Sequence, residues 1–159
     1  MKVLRLIILM LAAYSLNSCQ SDPWAWQYAR SKPTQPVEGT YKLTSRSHVL
    51  LANMYKNAKT SQLELKPDGT FYIEDIASAW SPFPRAVGFE SVRGNWRVGS
   101  NQDSWVVQLN VTSVKQADGQ LNRHGYETYA MLIGQEAPYI LHFGIGDPDS
   151  GDALQYERQ

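Results

Sequence analysis

A single cysteine, Cys19, is present in 159 residues, so the chain can form no internal disulfide. Exported domains with weak cores lean on such bridges, and this one must hold itself together by burial alone. Charge of one sign is also missing: 15 Lys and Arg balance 15 Asp and Glu, and no basic run occurs. That excludes the electrostatic footprint of a nucleic-acid binder and of a protein drawn to anionic lipid. Long apolar runs are absent too, the longest being the nine residues Leu6 to Tyr14. A bilayer-spanning helix needs about 20.

Catalytic patterns are equally scarce. His48, His124 and His142 share no metal-ligand spacing, and the sequence places all three on solvated surfaces. No serine stands in a nucleophile elbow. Glu74 and Asp75 are neighbours on an expected strand and point to opposite faces, a poor arrangement for acid and base acting on one bond. The reading is a non-enzymatic protein without a cofactor or a metal. The weak metal candidates are Asp147, Asp149 and Asp152 in the segment Gly144 to Asp152. Their spacing is not that of an EF-hand, since the twelfth position from Asp147 is Arg158 and not Glu. A hairpin loop, in which Asp and Gly meet the demands of turn geometry, accounts for the same residues.

What is present begins with an address. Lys2 and Arg5 precede the apolar block, and Ser15-Leu16-Asn17-Ser18-Cys19 follows it. This order of positive start, short apolar region and small residues is that of a secretory signal. Leu16, Ser18 and Cys19 resemble the lipobox of bacterial lipoproteins. The resemblance implies a signal peptide over residues 1–18, cleavage before Cys19, a diacylglycerol thioether on its sulfur, and a further acyl chain such as palmitate on the new amino terminus. Gln20 stands where inner-membrane lipoproteins usually carry Asp, which implies the outer membrane as destination. Two or more acyl chains anchor stably where one holds only marginally. Loss of Lys2 and Arg5 with the leader leaves 13 basic against 15 acidic residues.

Residues 19–37 contain Pro23, Pro33 and Pro36 among polar residues and read as a flexible tether, at most about 60 Å long. Trp24, Trp26 and Tyr28 interrupt it. They suit either a lipid interface or a strap packed on the domain, and packing is preferred because an exposed aromatic cluster is a liability.

From residue 38 to 159 a period of two dominates. Trp105, Val107, Leu109 and Val111 alternate with polar residues, as do Leu63 and Leu65, then Phe71 and Ile73. Pro67-Asp68-Gly69 between the latter pairs marks a hairpin. Further strands are expected at 39–45, 91–98, 125–133, 138–145 and 153–158, and one helix at 46–58. Eight short strands predict an antiparallel barrel, with a β-sandwich as the alternative. Gly39-Thr40-Tyr41, Pro67-Asp68-Gly69-Thr70-Phe71 and Gly94-Asn95-Trp96 together resemble the small lipocalin-like barrels of bacterial lipoproteins. In true lipocalins the Gly-x-Trp lies on the first strand, where this chain has Tyr41. Leu65, Phe71, Trp96, Leu109 and Phe143 are expected to fill the interior.

Residues 77–90 form a long aromatic connection, with Trp80, Phe83, Arg85 and Phe89 as candidate binding-loop residues. Such a loop either covers an open barrel end or presents a contact surface. The expected function is a binding or interaction module tethered to the outer membrane. Its partners would be the membrane through the anchor, and an envelope protein, a glycan or a small apolar molecule. Two alternatives are a lipocalin-like carrier of an apolar ligand and a protective lipoprotein acting against a toxin or lytic enzyme.

Overall fold

The computed structural model describes residues 22–80, 88–122 and 125–159. The leader, Cys19, Phe83, Arg85 and His124 lie outside the described residues. The expected alternation produces β1 (Gly39–Leu43), β2 (Gln62–Leu65), β3 (Thr70–Ala77), β4 (Phe89–Asn101), β5 (Ser104–Lys115), a two-residue β6 (Leu121–Asn122), β7 (Tyr126–Ile133), β8 (Ile140–Gly144) and β9 (Ala153–Arg158). One helix, α1 (Ser45–Met54), follows β1. Thr44 caps it by accepting from the Ser47 amide at 3.3 Å. The helix ends four residues short of the expected 58.

All of these strands belong to one antiparallel sheet in which each long strand pairs with its neighbour in the chain. β4 pairs with β5, and β9 returns to β1 through Tyr41 opposite Arg158 and Leu43 opposite Tyr156. The result is a closed eight-stranded barrel, as a lipocalin-like meander would give, and not the alternative sandwich. Closure removes the exposed sheet edges that would otherwise invite pairing with other chains.

Register sorts side chains between the two faces. Tyr41 stands opposite Leu63, Leu63 opposite Ile73 and Ile73 opposite Val92, and all four are buried. Leu65, Phe71, Leu109 and Phe143 fill the interior as expected. Trp96, opposite Leu109, packs against this core only in part: it is half-buried, and its Nε1 donates to the Lys66 carbonyl at 2.9 Å beside the Pro67–Gly69 hairpin. A ring that can bond the hairpin's backbone from its rim has less reason to enter an interior without a partner for its N–H.

The ladders also place the connections. Three tight turns, at 66–69, 102–103 and 134–139, lie at one end of the barrel. The long connections at 44–61, 78–88, 116–125 and 145–152 share the other. α1 sits at this second end, where buried Leu51 enters the core and Tyr55 packs against Phe89 with ring centroids 5.3 Å apart and the planes tilted by 53°. Buried Ser47 ties the helix to β9, donating to the Ala153 carbonyl and accepting from the Gln155 amide.

Gly94 of the Gly-Asn-Trp stretch has a steric cause. It lies at a register shift between β4 and β5, and a Cβ there would stand 2.0 Å from the Asn110 carbonyl oxygen. Gly94→Ala is therefore expected to destabilise the domain by about 3 kcal/mol, the upper range of overpacking. Gly144→Ala, with nothing within 4 Å of its Cβ, should stay within about 0.5 kcal/mol of the parent. Chemical denaturation of both variants checks the pair, and equal losses would count against this explanation.

Candidate functional site

β7 and β8 share only a short ladder, Met131 to Ile133 against Ile140 to His142. Towards the end with the long connections the two strands part. Tyr126 to Ala130 continue to pair with β5, and Phe143 and Gly144 continue to pair with β9, with no rung between them. Trp80 closes the breach from within. Its ring lies 6.2 Å from Tyr126 on one side of the seam and 5.7 Å from Phe143 on the other. Trp80 is 5% exposed, and its Nε1–H finds no acceptor among the described residues. A buried donor left this way costs about 1–3 kcal/mol relative to a bonded one. The residue reaches this position because its loop is pinched at the neck, where the Ser78 amide donates to the Gly88 carbonyl and the Gly88 amide to Ser78 Oγ.

The outside of the same seam is covered by the segment expected to be a free tether. Residues 22–37 instead lie on the barrel, pinned by buried Tyr28, Ala29 and Val37. Tyr28 forms a bridge with Ile133, the Ala29 amide donates to the Leu132 carbonyl, and the Trp105 amide donates to the Ala29 carbonyl. Trp24 Nε1 donates to the Gly151 carbonyl at 3.0 Å, and the Arg46 guanidinium sits 4.7 Å above its ring. Gly151 is needed there, since a Cβ would come within 2.8 Å of Pro23. Of the three strap aromatics, Trp24 and Tyr28 pack on the domain, while Trp26 is 77% exposed.

This cover explains an outer face that is dry in part. Val106, Met131, His142 and Gln155 are direct neighbours across successive strands and alternate with the core row of Val107, Ala130, Leu141 and Tyr156. His142 was expected on a solvated face. It is 4% exposed, held between Trp24 and Tyr28 with ring centroids at 5.5 and 5.6 Å. Its Nδ1 lies 3.2 Å from Gln155 Nε2; with the amide donating, the imidazole proton rests on Nε2. Burial lowers the His142 pKa to about 4, with Arg46 acting in the same direction and Asp22 opposing both. Asp22 also accepts from the Tyr28 hydroxyl at 2.5 Å. Burial, followed by that bond, raises the Tyr28 pKa well above its ordinary value.

Between strap, seam and the tip of the β4–β5 hairpin lies a half-open groove of about 660 Å³. That volume is within the range of small-ligand sites. Trp80, Tyr28 and Trp24 contribute aromatic surface, and Tyr129, 49% exposed on β7, stands at the rim. Asp22, Asp103 and Asp152 supply carboxylates and Arg30 a guanidinium. Arg30 is already turned to the Ala25 and Asp103 carbonyls and to Ser104 Oγ.

Two of the four binding-loop residues are thus described, and both are buried. Trp80 is the floor of the groove, and Phe89 belongs to the closed barrel end with Tyr55. Among the acidic-loop residues, Asp152 lines the groove. Asp147 accepts from the Asp149 amide in its own turn, and among the described residues no three His, Cys, Asp or Glu groups converge as a metal site. The sequence reading missed His142, Tyr129 and the strap residues as one site. The legible signal was the row of His142 and Gln155 on strands whose other face is apolar, next to an aromatic segment in need of a surface.

In comparisons with protein-family models, with curated proteins and with solved structures, the chain has no significant match in any of the three.

The buried imidazole makes stability depend on pH. Its folded pKa lies below the unfolded value near 6.5, so the neutral ring's contribution is present above that value and is lost as pH falls towards 4. From pH 7 to pH 5 the parent should lose roughly 2 kcal/mol more than His142→Asn, whose side-chain oxygen can still accept from Gln155. Thermal or urea melts of both proteins at the two pH values provide the check, and parallel pH profiles would refute the assignment.

Proposed function

We propose that this protein is a non-enzymatic binding module of the bacterial envelope, anchored to the outer membrane by lipid on Cys19, with the groove at the β7–β8 seam as its binding site. The observation that carries this reading is a half-open groove of about 660 Å³ whose lining joins the rings of Trp24, Tyr28, Trp80 and Tyr129 with the carboxylates of Asp103 and Asp152. Aromatic surface with a few polar groups in one concavity is the lining that small-ligand sites use. The side chains filling the barrel's interior favour a site in the wall over a lipocalin-style internal pocket.

The docked strap bears on the anchor. From Cys19 to Asp22 the chain reaches at most about 10 Å, so a lipid-bearing Cys19 would hold the barrel against the membrane surface and not tens of ångströms away. Asp22 lines the groove, which would then open beside the bilayer. Exposed Trp26 on the same strap suits the interfacial layer that tryptophan favours.

In a Gram-negative envelope the parent chain should sediment with outer membranes and Cys19→Ser should not. A photo-crosslinking residue in place of Tyr129 should give an adduct of defined mass that is absent when the same group replaces Lys42, an exposed residue of β1 on another part of the wall. Equal membrane recovery of both chains would remove the anchor. Identical or absent adducts at positions 129 and 42 would remove the groove as the binding site.

A further inference from the structure

Where β7 and β8 part, the barrel shows strand edges as well as a groove. In an antiparallel strand the N–H and C=O of one residue point to the same side, and successive residues alternate. The Leu132 carbonyl accepts from Ala29, which also bonds Trp105 of β5, so Leu132 faces the β5 side. By that alternation Ala130 and Thr128 face β5 too, opposite Val107 and Leu109, while Met131, Tyr129 and Glu127 face β8. Met131 meets His142 at the last rung, and Tyr129 and Glu127 point beyond it into the seam. On the other bank the Ile145 amide donates to the Asp152 carbonyl, which turns Ile145 and Phe143 towards β9 and Gly144 towards the seam. Tyr129, Glu127 and Gly144 are exposed. Among the described residues no rung joins them across the seam, and no bond to a turn or loop engages their main-chain groups. Thr128, Tyr129 and Met131 line one bank of the groove, and His142 and Gly144 the other. Closure hides such edges elsewhere in the barrel; here two of them open onto one concavity.

The seam-facing groups of Glu127 and Tyr129 recur every two residues, about 7 Å along the strand. An extended polypeptide repeats an N–H and a C=O at the same spacing and can exchange both bonds with each residue. An acyl chain offers neither group. From this geometry we infer that the groove takes an extended segment of a partner protein as an added strand on β7. The segment bonds the main chain of Tyr129 and Glu127 and lies with the Gly144 backbone on its other side. The inference rests on the groove being the binding site and names the class of its partner. The strap uses the same mode at the other end of β7, where Ala29 donates to Leu132 and accepts from Trp105, joining two strands through its own main chain. Trp80 fills the space behind the seam between Tyr126 and Phe143, so the added strand needs small side chains where it faces inward. On the outer face exposed Tyr129 favours an aromatic or β-branched neighbour.

The test uses the full-length chain, purified in detergent and screened with a displayed library of decapeptides that alternate alanine with a randomised position. The strongest binder is synthesised, and amide hydrogen exchange is followed with and without it. In the free protein the amides of Glu127 and Tyr129 should exchange at least about tenfold faster than those of Thr128 and Ala130, and the peptide should slow the first pair by a similar factor. Tyr129→Pro removes a seam-facing N–H but no bond to β5, and should weaken the peptide roughly tenfold more than Tyr129→Val does. If Tyr129→Pro fails to fold, the exchange contrast in the parent chain decides. Amides at 127 and 129 that are already as slow as their neighbours in the free protein would mean that the chain itself occupies the edge. Slowing that grows with protein concentration would assign the edge to a second copy. Either result overturns the inference, as would a library without a binder or a peptide that binds without protecting these two amides. In each of those cases the adduct contrast between positions 129 and 42 still decides separately whether the groove is a binding site.

Discussion

An aromatic column inside the barrel carries most of what makes this wall unusual. Tyr156, Phe143 and Trp80 follow one another with centroids 5.8 and 5.7 Å apart and planes nearly perpendicular, the edge-to-face arrangement that aromatic quadrupoles favour. Tyr156 is wholly buried, and its hydroxyl bonds Ser61 at 2.7 Å, so the column has a fixed base. Phe143 lies on β8 at the level where that strand leaves β7. Trp80 can therefore occupy the breach from inside, and the barrel closes with a side chain where a backbone ladder would otherwise run. An opening in the wall and a buried indole without an acceptor among the described residues are two aspects of the same packing choice.

The strap completes the arrangement from outside. β-barrels with polar outer faces have no need of a cover, but Val106 and Met131 on this face are apolar and His142 is neutral. Laying Tyr28 and Trp24 over them buries ring area on both sides. The same segment leads back to Cys19. Asp22 and Trp24, at the start of the strap, also line the groove.

Much of the fold was readable because alternation is a local property. Each of the eight long strands could be read from its own residues, and Pro67-Asp68-Gly69 identified its hairpin without any other part of the chain. The candidate site was readable only in fragments. Trp80 was recognised as unusual, and Asp152 was noted with its loop, but nothing along the chain relates either to Tyr129 or to Asp22. His142 was misjudged because a histidine between Leu141 and Phe143 reads as the polar side of a half-buried strand, and its solvent is displaced by residues more than a hundred positions earlier. The partial exposure of Trp96 was not legible for a related reason: its hydrogen-bond partner, the Lys66 carbonyl, is available only once β4 lies beside the hairpin.

By itself, then, the sequence determined an all-β chain with one helix, no disulfide, balanced charge and an amino-terminal pattern resembling a lipobox. These follow from composition and from periods of two to four residues, which neighbouring side chains impose on their own backbone. Only the tertiary structure decided that β7 and β8 part, that Trp80 fills the seam, and that the proline-bearing segment docks on the wall instead of hanging free. Those outcomes depend on which surfaces remain uncovered after the barrel has closed, a property of the packed whole that no local stretch of sequence contains.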